Sequence, residues 1–178
     1  SVGAIPVNAV DWVLVDIRDA ASSALATSAS SIGKQAAFIL ADGSIVDLDG
    51  SSNLTFSVSV NQNLYVAVWQ RNHIGIMSNN ALIPAGNQYN YNFTTGINQV
   101  YGGSNGHKQL VPGKGGMFSG DGTADGIVNA SDKSILWENE TGTNGYIPSD
   151  YNLDSESNNI DKDDFWVPNE GEGSQVPN

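Results

Sequence analysis

Cysteine is absent from the 178 residues of the chain. Its absence excludes disulfides, a thiol nucleophile and any metal site built on thiolates. Histidine is scarce as well: His73 and His107 are the only two, and neither lies in a pattern that pairs a base with a nucleophile. No glycine-rich phosphate loop follows a strand-like segment. We therefore expect no enzymatic activity and predict no catalytic residue.

Positive charge is also in short supply. Seven Lys and Arg face nineteen Asp and Glu, for a net charge of −12. Without a basic stripe, a nucleic-acid partner is not expected. No apolar run approaches the roughly 20 residues of a membrane span, so no membrane span is expected either. The chain begins at Ser1 rather than Met and shows no signal peptide, which we interpret as a processed or excised piece of a longer protein.

The negative charge is concentrated at one end of the chain. Residues 1–116 hold six Asp and five Lys or Arg, whereas residues 117–178 hold eight Asp, five Glu and only two Lys. The second part would repel itself unless cations neutralise it. This partition predicts a nearly neutral domain followed by a cation-binding one.

The neutral part carries strand patterns. Strands are predicted at residues 10–17, 64–69 and 73–77 from β-branched and aromatic runs, and at residues 54–60 and 89–93 from alternation. Asp42-Gly43 between two apolar runs predicts a hairpin whose two turn residues both have φ > 0. Short strands at this spacing favour a mainly β fold, an antiparallel β-sandwich with six to eight strands over residues 5–102.

Glycine clusters mark the boundary between the two parts. We predict a β-sandwich domain at residues 1–102, a glycine-rich connection at 103–118 and a calcium-binding domain at 119–178. The connection contains four large apolar residues, Leu110, Val111, Met117 and Phe118. They favour a connection that packs against the rest of the protein over a flexible linker.

The acidic part contains an internal repeat. Seven positions of the first copy recur in the second at one constant offset and without a gap, so that Trp137 corresponds to Trp166 and Gly142 to Gly171. Each copy has oxygen-bearing residues at positions 1, 3, 5, 7, 9 and 12 of a loop, the spacing with which a short loop surrounds calcium. In the first copy the predicted ligands are Asp121, Thr123, Asp125, the Ile127 carbonyl, Asn129 and Asp132. In the second they are Asp150, Asn152, Asp154, the Glu156 carbonyl, Asn158 and Asp161. All twelve donors are oxygen, so we expect two calcium ions rather than zinc or copper.

A helix should follow each loop. The first is predicted from Asp132 to about Glu140, with Asn129 and Asp132 forming a capping-box-like pair, and the second from Asp161 to about Val167. The second loop is the weaker match, because Ser155 stands where the first loop has a turn glycine, Gly126. An alternative register, in which Asp164 closes a longer second loop, stays open.

The repeat resembles a dockerin-type tandem, in which a calcium loop and a single helix occur twice. Asp at position 12 is usual in dockerins, whereas helix–loop–helix EF-hands have Glu there. Over about residues 5–177 the chain also resembles the C-terminal region of secreted surface proteins of Bacteroidetes-type bacteria. The stretches that carry this resemblance are AVDWVLVDIRD, AAFILADGSIVDLDG, RNHIGIMS, YNFTTG, GMFSGDGTADGIVNASD and GEGSQVP.

These resemblances imply a secreted protein, extracellular or at the cell surface. Together with the composition they favour a non-enzymatic calcium-binding structural or adhesion module. Self-association into a filament is one form of it, with residues 1–8 as a strand donated to a neighbour. Two alternatives stay open: a docking module for a cohesin-type protein partner, and a carbohydrate-binding module that uses Trp12, Trp69 and the tyrosines to bind a glycan.

Overall fold

The computed structural model describes residues 5–86 and 88–178. Over these residues the protein is mainly β, with antiparallel sheets and a few short helices. The predicted fold class is confirmed at this level.

One five-stranded antiparallel sheet organises the first half of the chain. Its strands, in chain order, are β1 (Ala9–Ala20), β2 (Ser31–Leu40), β3 (Ile45–Val46), β4 (Asn63–Gln70) and β5 (His73–Met77). They lie in the spatial order β3-β2-β1-β4-β5. The strands β2, β1 and β4 each have a neighbour on both sides, and the longest unbroken apolar runs are Leu64–Trp69 in β4 and Ala36–Leu40 in β2. The predictions for residues 10–17, 64–69 and 73–77 are therefore confirmed.

The hairpin between β2 and β3 forms where the Asp-Gly pair predicts it, but with a different turn. The Leu40 N–H donates to the Ser44 carbonyl at 2.8 Å, and the Gly43 N–H donates to the Leu40 carbonyl at 2.9 Å. Only Gly43 has a positive φ, 86°, so the prediction of positive φ at both turn residues is wrong. The loop has three residues, and glycine takes its left-handed position.

Two predicted strands are absent from the described part of the chain. Residues 53–60 form no strand, although Leu54 and Phe56 are partly buried and their neighbours exposed. Phe56 packs towards Gly33 and Ile17, which puts the segment across the face of the sheet rather than beside an edge strand. The alternation therefore sets an extended chain with one buried side, but supplies no partner for its backbone. Within residues 89–93, only Tyr89 is in a strand.

Two small hairpins complete the β structure. The strands β6 (Pro84–Ala85) and β7 (Gln88–Tyr89) form one, and β8 (Lys108–Val111) and β9 (Lys114–Gly116) form the other. The second hairpin lies in the predicted glycine-rich connection, where Met117 and Phe118 pack into apolar clusters while Leu110 and Val111 are exposed. The connection is thus packed at its end and exposed at its hairpin.

The acidic part contains the two expected helices. The first has π-type hydrogen bonding over Asp132–Trp137 and one α-helical turn over Glu138–Glu140. The second has the same π-type bonding over Asp161–Trp166, followed by a 3₁₀ turn over Val167–Asn169. In both copies the π-type segment begins at position 12 of the loop, and the helix itself begins two residues earlier, at Ala130 and at Asn159.

Apolar clusters connect the acidic part to the sheet. One cluster combines Ile74 of β5 with Phe118 of the connection and with Val128, Tyr151 and Trp166 of the repeats. Another places Val176, near the end of the chain, against Ala67 and Met77. The repeats therefore share a core with the sheet.

Candidate calcium-binding repeats

The first loop is shaped by hydrogen bonds to two buried carboxylates. Asp121 at position 1 accepts the N–H groups of Asp125 and Gly126, both at 3.0 Å. Asp132 at position 12 accepts the N–H of Thr123 at 2.9 Å and that of Asn129 at 2.8 Å. The loop backbone thus wraps around the carboxylates of its first and last positions.

The second loop repeats these bonds at the equivalent positions. Asp150 accepts the N–H groups of Asp154 at 3.0 Å and Ser155 at 3.1 Å. Asp161 accepts those of Asn152 at 3.1 Å and Asn158 at 2.8 Å. Asp161 is fully buried, as Asp132 is. Asp164, the residue that would close the longer alternative loop, is exposed. The structural repeat therefore follows the ungapped register.

Backbone conformation repeats as well. Gly126 has φ = 89°, and Ser155, its equivalent, has φ = 72°. A left-handed conformation is unfavourable for a residue with a side chain. Ser155 thus adopts the turn conformation that Gly126 supplies in the first copy, although this conformation is less favourable for serine. This is the physical reason why the second loop is the weaker match. The predicted capping pair is also present, since Asn129 Oδ1 accepts the Ser131 N–H at 2.7 Å while Asp132 accepts the Asn129 N–H.

The two copies exchange contacts reciprocally. The indole N–H of Trp137 donates to the Asn158 carbonyl at 2.8 Å, and that of Trp166 donates to the Asn129 carbonyl at 3.2 Å. Each tryptophan therefore binds the position-9 carbonyl of the other loop.

The segments that follow the helices are exchanged in the same way. The Val128 N–H donates to the backbone carbonyl of Glu172 at 2.9 Å. The equivalent Ser157 N–H donates to the backbone carbonyl of Thr143 at 3.0 Å. Each loop thus pairs with the segment after the other helix. This reciprocity gives the two copies a local two-fold relation and makes them one unit.

The turn between β4 and β5 attaches this unit to the sheet. Asn72 is fully buried there. Its carbonyl accepts the N–H of Asp121 at 3.1 Å, and its side-chain amide donates to the carbonyl of Asp150 at 2.6 Å. One residue therefore contacts the first position of both loops.

Arg71, the neighbour of Asn72, adds charge to this attachment. Its guanidinium lies 2.9 Å from Asp11 on β1 and 3.4 Å from Asp150. It also lies 4.2 Å from the centre of the Tyr146 ring, whose hydroxyl donates to Asp11 at 2.7 Å. The cation thus links a sheet carboxylate to the second loop.

The carboxylates at position 1 are electrostatically unfavourable without a cation. Burial raises the pKa of Asp121 to about 6, with Asp132 and Asp125 adding to the rise and the N–H of Gly126 opposing it. Burial also raises the pKa of Asp150, where the N–H of Ser155 and the charge of Arg71 oppose the shift. Both groups therefore gain from a bound cation, which favours the ionised form.

The predicted ligands form two chemically suitable sets. Positions 1 and 12 are buried in both loops, positions 3 and 9 are intermediate, and positions 5 and 7 are exposed. A carboxylate has about four lone-pair sites, so oxygens that accept one N–H can still bind a cation. Among residues 5–86 and 88–178, no three His, Cys, Asp or Glu side chains converge as a ready-made metal cluster. Each loop relies for half of its donors on hydroxyl, amide and carbonyl oxygens.

Sequence reasoning missed the attachment to the sheet. Asn72 and Arg71 stand in a polar turn, and nothing in their local pattern points to loops that begin far along the chain, at Asp121 and Asp150. His73, expected to be structural, places its Nδ1 within 2.8 Å of Gln70 Oε1 in the same turn, and burial lowers its pKa to about 4. The stretch RNHIG thus has a structural reason that only the fold reveals.

Comparison of the chain with protein-family models, with curated protein sequences and with solved structures gave no match. In the part of the chain that the structure describes, the helices are too short and too polar to cross a membrane. The functional argument therefore depends on the geometry of the repeats.

Proposed function

We propose that the chain is a non-enzymatic, calcium-binding structural module of an extracellular or cell-surface protein. In this proposal the sheet and the segments across its face form a β-sandwich, and the two loops and helices form a dockerin-like pair. The observation that carries it is the recurrence, at equivalent positions of the two copies, of the hydrogen bonds that wrap each loop around its position-1 and position-12 carboxylates.

The donor set supports calcium. The first loop offers Asp121, Thr123, Asp125, Asn129, Asp132 and the Ile127 carbonyl, and the second offers the equivalent six groups. Calcium accepts six to eight oxygen ligands in a flexible arrangement, which suits loops of mixed donors. When bound, it would neutralise carboxylates that burial and mutual repulsion make costly.

The attachment to the sheet supports a structural role. Asn72 and Arg71 connect the first residue of each loop to β4, β5 and β1. A cation that orders the loops would therefore also stabilise the sheet. Calcium ions that hold Asp121 in the first loop and Asp150 in the second would thereby stabilise the whole chain. Sites with dissociation constants of roughly 10⁻⁴–10⁻³ M, typical of extracellular modules, suffice for this purpose.

Thermal unfolding in calcium and in chelator tests the proposal. We expect a filled site to add about 2.7 kcal/mol at a calcium concentration one hundred times its dissociation constant. Asp132→Asn and Asp161→Asn should each remove part of that gain. Asp163→Asn, a change of the same charge at an exposed residue of the second helix, should leave it intact. Coincident melting curves in calcium and in chelator would show that the proposal is wrong.

A docking role for the helices is a second candidate, and an exposed apolar side chain favours it. Ile135 on the first helix is 59% exposed, and its equivalent on the second helix is the exposed Asp164. A cohesin-type partner would contact such a surface together with Ser134 and Asp163. A pull-down with a panel of cohesin domains tests this role, with Ile135→Asp as the variant that should lose the partner and Asp42→Asn, far along the chain, as the control.

A further inference from the structure

A groove runs across the face of the main sheet. Its volume is about 930 Å³, near the upper end of the range of about 300–1,000 Å³ for small-molecule pockets. The floor is apolar and is formed by β1 and β4 through Val15, Ile17, Leu64, Val66 and Val68. One wall is the segment 53–60 and the other is the segment 88–94.

The wall formed by residues 53–60 is extended but unpaired. Leu54, Phe56, Val58 and Val60 line the groove. At the intervening positions Asn53 and Thr55 line it as well, whereas Ser57 and Ser59 do not, so the lining alternates from Phe56 to Val60. No backbone hydrogen bond joins residues 53–60 to any other described residue. At about 3.3 Å per residue this wall is about 26 Å long. It is a strand-length stretch of free N–H and C=O groups beside an apolar floor.

The opposite wall is similar over part of its length. Beyond β7, residues 90–92 have no backbone hydrogen bond to the described chain, and Tyr91 and Phe93 pack on the core beneath. Two unpaired extended walls above a floor of Val, Ile and Leu match a β-strand, which hydrogen-bonds through its backbone and buries alternate side chains. A compact small molecule would leave most of those backbone groups unused.

The charge of the groove further restricts which strand can bind in it. Asp42 is the only charged side chain among the described residues that line it. A strand that fits must therefore be uncharged and apolar at alternate positions, because an unpaired charge buried against this floor would be costly.

The N-terminal segment of the chain has these properties. Residues 1–8 read Ser-Val-Gly-Ala-Ile-Pro-Val-Asn and contain no charged side chain. Residues 1–4 lie outside the described part. In the described part, Ile5 is 67% exposed and Val7 is fully exposed, two apolar side chains at i and i+2 that would share one face of a strand.

Residues 5–8, the described part of this segment, do not fill the groove of their own chain. The Ala9 N–H donates to the Pro6 carbonyl at 3.0 Å, and the Ala41 N–H donates to the Asn8 carbonyl at 2.9 Å. These bonds hold residues 6–8 at the start of β1, and none of residues 5–8 lines the groove. Its exposed apolar side chains, Ile5 and Val7, therefore suggest that the segment packs on a second molecule.

We infer that the groove binds residues 1–8 of a second copy of the chain as an added β-strand, for which the donor opens its Ala9–Pro6 and Ala41–Asn8 backbone hydrogen bonds. The donor side chains Ile5 and Val7 enter above Val15 and Val66, and the donor backbone pairs with the segment 53–60. Because donor and acceptor are different surfaces, the contact is head-to-tail and repeats from copy to copy. This inference does not depend on the calcium proposal, since no residue of either loop lines the groove.

Complementation between two full-length variants tests the inference. Ile5→Asp/Val7→Asp disables the donor and keeps the groove, whereas Val58→Arg blocks the groove at a side chain that is already 41% exposed and keeps the donor. Analytical ultracentrifugation at one calcium concentration should show the unmodified chain growing in mass with protein concentration. Each variant alone should remain monomeric, and an equimolar mixture should form dimers and nothing larger.

Matched controls make the result decisive. Leu25→Asp changes a side chain that is 61% exposed and distant from the groove, and should assemble as the unmodified chain does. Circular dichroism and thermal melts on every variant show that it is folded. A synthetic peptide of residues 1–8 should compete with assembly, and the same peptide with Asp at positions 5 and 7 should not. A chain that stays monomeric up to its solubility limit, or assembly that survives either variant, would overturn the inference.

Discussion

Replacing Asn72 by alanine should weaken the second of the two candidate calcium loops and leave the first almost unchanged. The substitution removes the side-chain amide that donates to the Asp150 carbonyl at 2.6 Å and to the Pro148 carbonyl at 3.0 Å. It keeps the Asn72 backbone carbonyl, which accepts the Asp121 N–H. The second loop therefore loses the Asn72 part of its contact with the sheet and keeps the part made by Arg71, whereas the first loop retains its own contact.

The expected cost in chelator follows from burial. Asp150 is 2% exposed, so its carbonyl is left without a partner, at about 1–3 kcal/mol. Pro148 is exposed, and water can replace the bond to its carbonyl. With the lost side-chain contacts we expect the free energy of unfolding to fall by about 2–3 kcal/mol. For a chain of this size the melting temperature should fall by about 4–12 °C.

Calorimetric titration with calcium provides the discriminating measurement. We expect the affinity of the second site to fall about tenfold, or about 1.4 kcal/mol, while that of the first stays within about twofold. Asn79→Ala is the matched control, because it removes an amide whose bond to the Asn98 carbonyl, at 3.2 Å, is exposed. Equal weakening of both sites, or no loss of stability in chelator, would refute the reasoning.

Three further predictions concern conformation, charge and pH. Ser155→Gly should raise the free energy of unfolding by about 0.5–1 kcal/mol in chemical denaturation, since it relieves a left-handed serine while loosening the unfolded chain. Arg18→Met should lower the free energy of unfolding by about 3–5 kcal/mol, because it leaves the buried Asp16 carboxylate without its cation. Adding Asp16→Leu should recover part of the loss. Without calcium, the raised pKa of Asp121 means that between about pH 4 and 6 the folded chain binds a proton that the unfolded chain lacks. The contribution of this proton to the free energy of unfolding is present at low pH and is lost as pH rises through about 6. Thermal melts should therefore show a smaller gain from calcium at pH 5 than at pH 7.5, where the proton no longer competes.

Local signals predicted the elements that depend on local chemistry. The apolar runs of β1, β4 and β5 and the glycine of the β2–β3 turn determine their own conformation, and the structure contains all four. The position of the first helix, which begins at Ala130, also follows from the capping pair of Asn129 and Asp132. The constant offset between the two copies extended this success to the ungapped register of the second one.

Pairing was harder to predict than conformation. Residues 53–60 have the alternation of a strand, and the buried positions are the apolar ones, yet the segment crosses the sheet face without a partner in the described chain. Alternation records which side of a segment is buried and carries no information about its neighbours. For the same reason the contact between Asn72 and Asp150, 78 residues apart, had no signal in the sequence.

The sequence and the electrostatics rank the two loops differently. The sequence ranks them by their match to the calcium-loop pattern, and the electrostatics by how much each loop requires a cation. By sequence the second loop is the poorer match, because of Ser155. By electrostatics the first loop has the greater need: the charges that act most on Asp121 are those of Asp132 and Asp125, whereas Asp150 has Arg71 at 3.4 Å. Arg71 already supplies part of the positive charge that calcium would bring to the second loop. The first loop should therefore depend on calcium for its order, and the second should be held to the sheet by Arg71 and Asn72 before any ion binds.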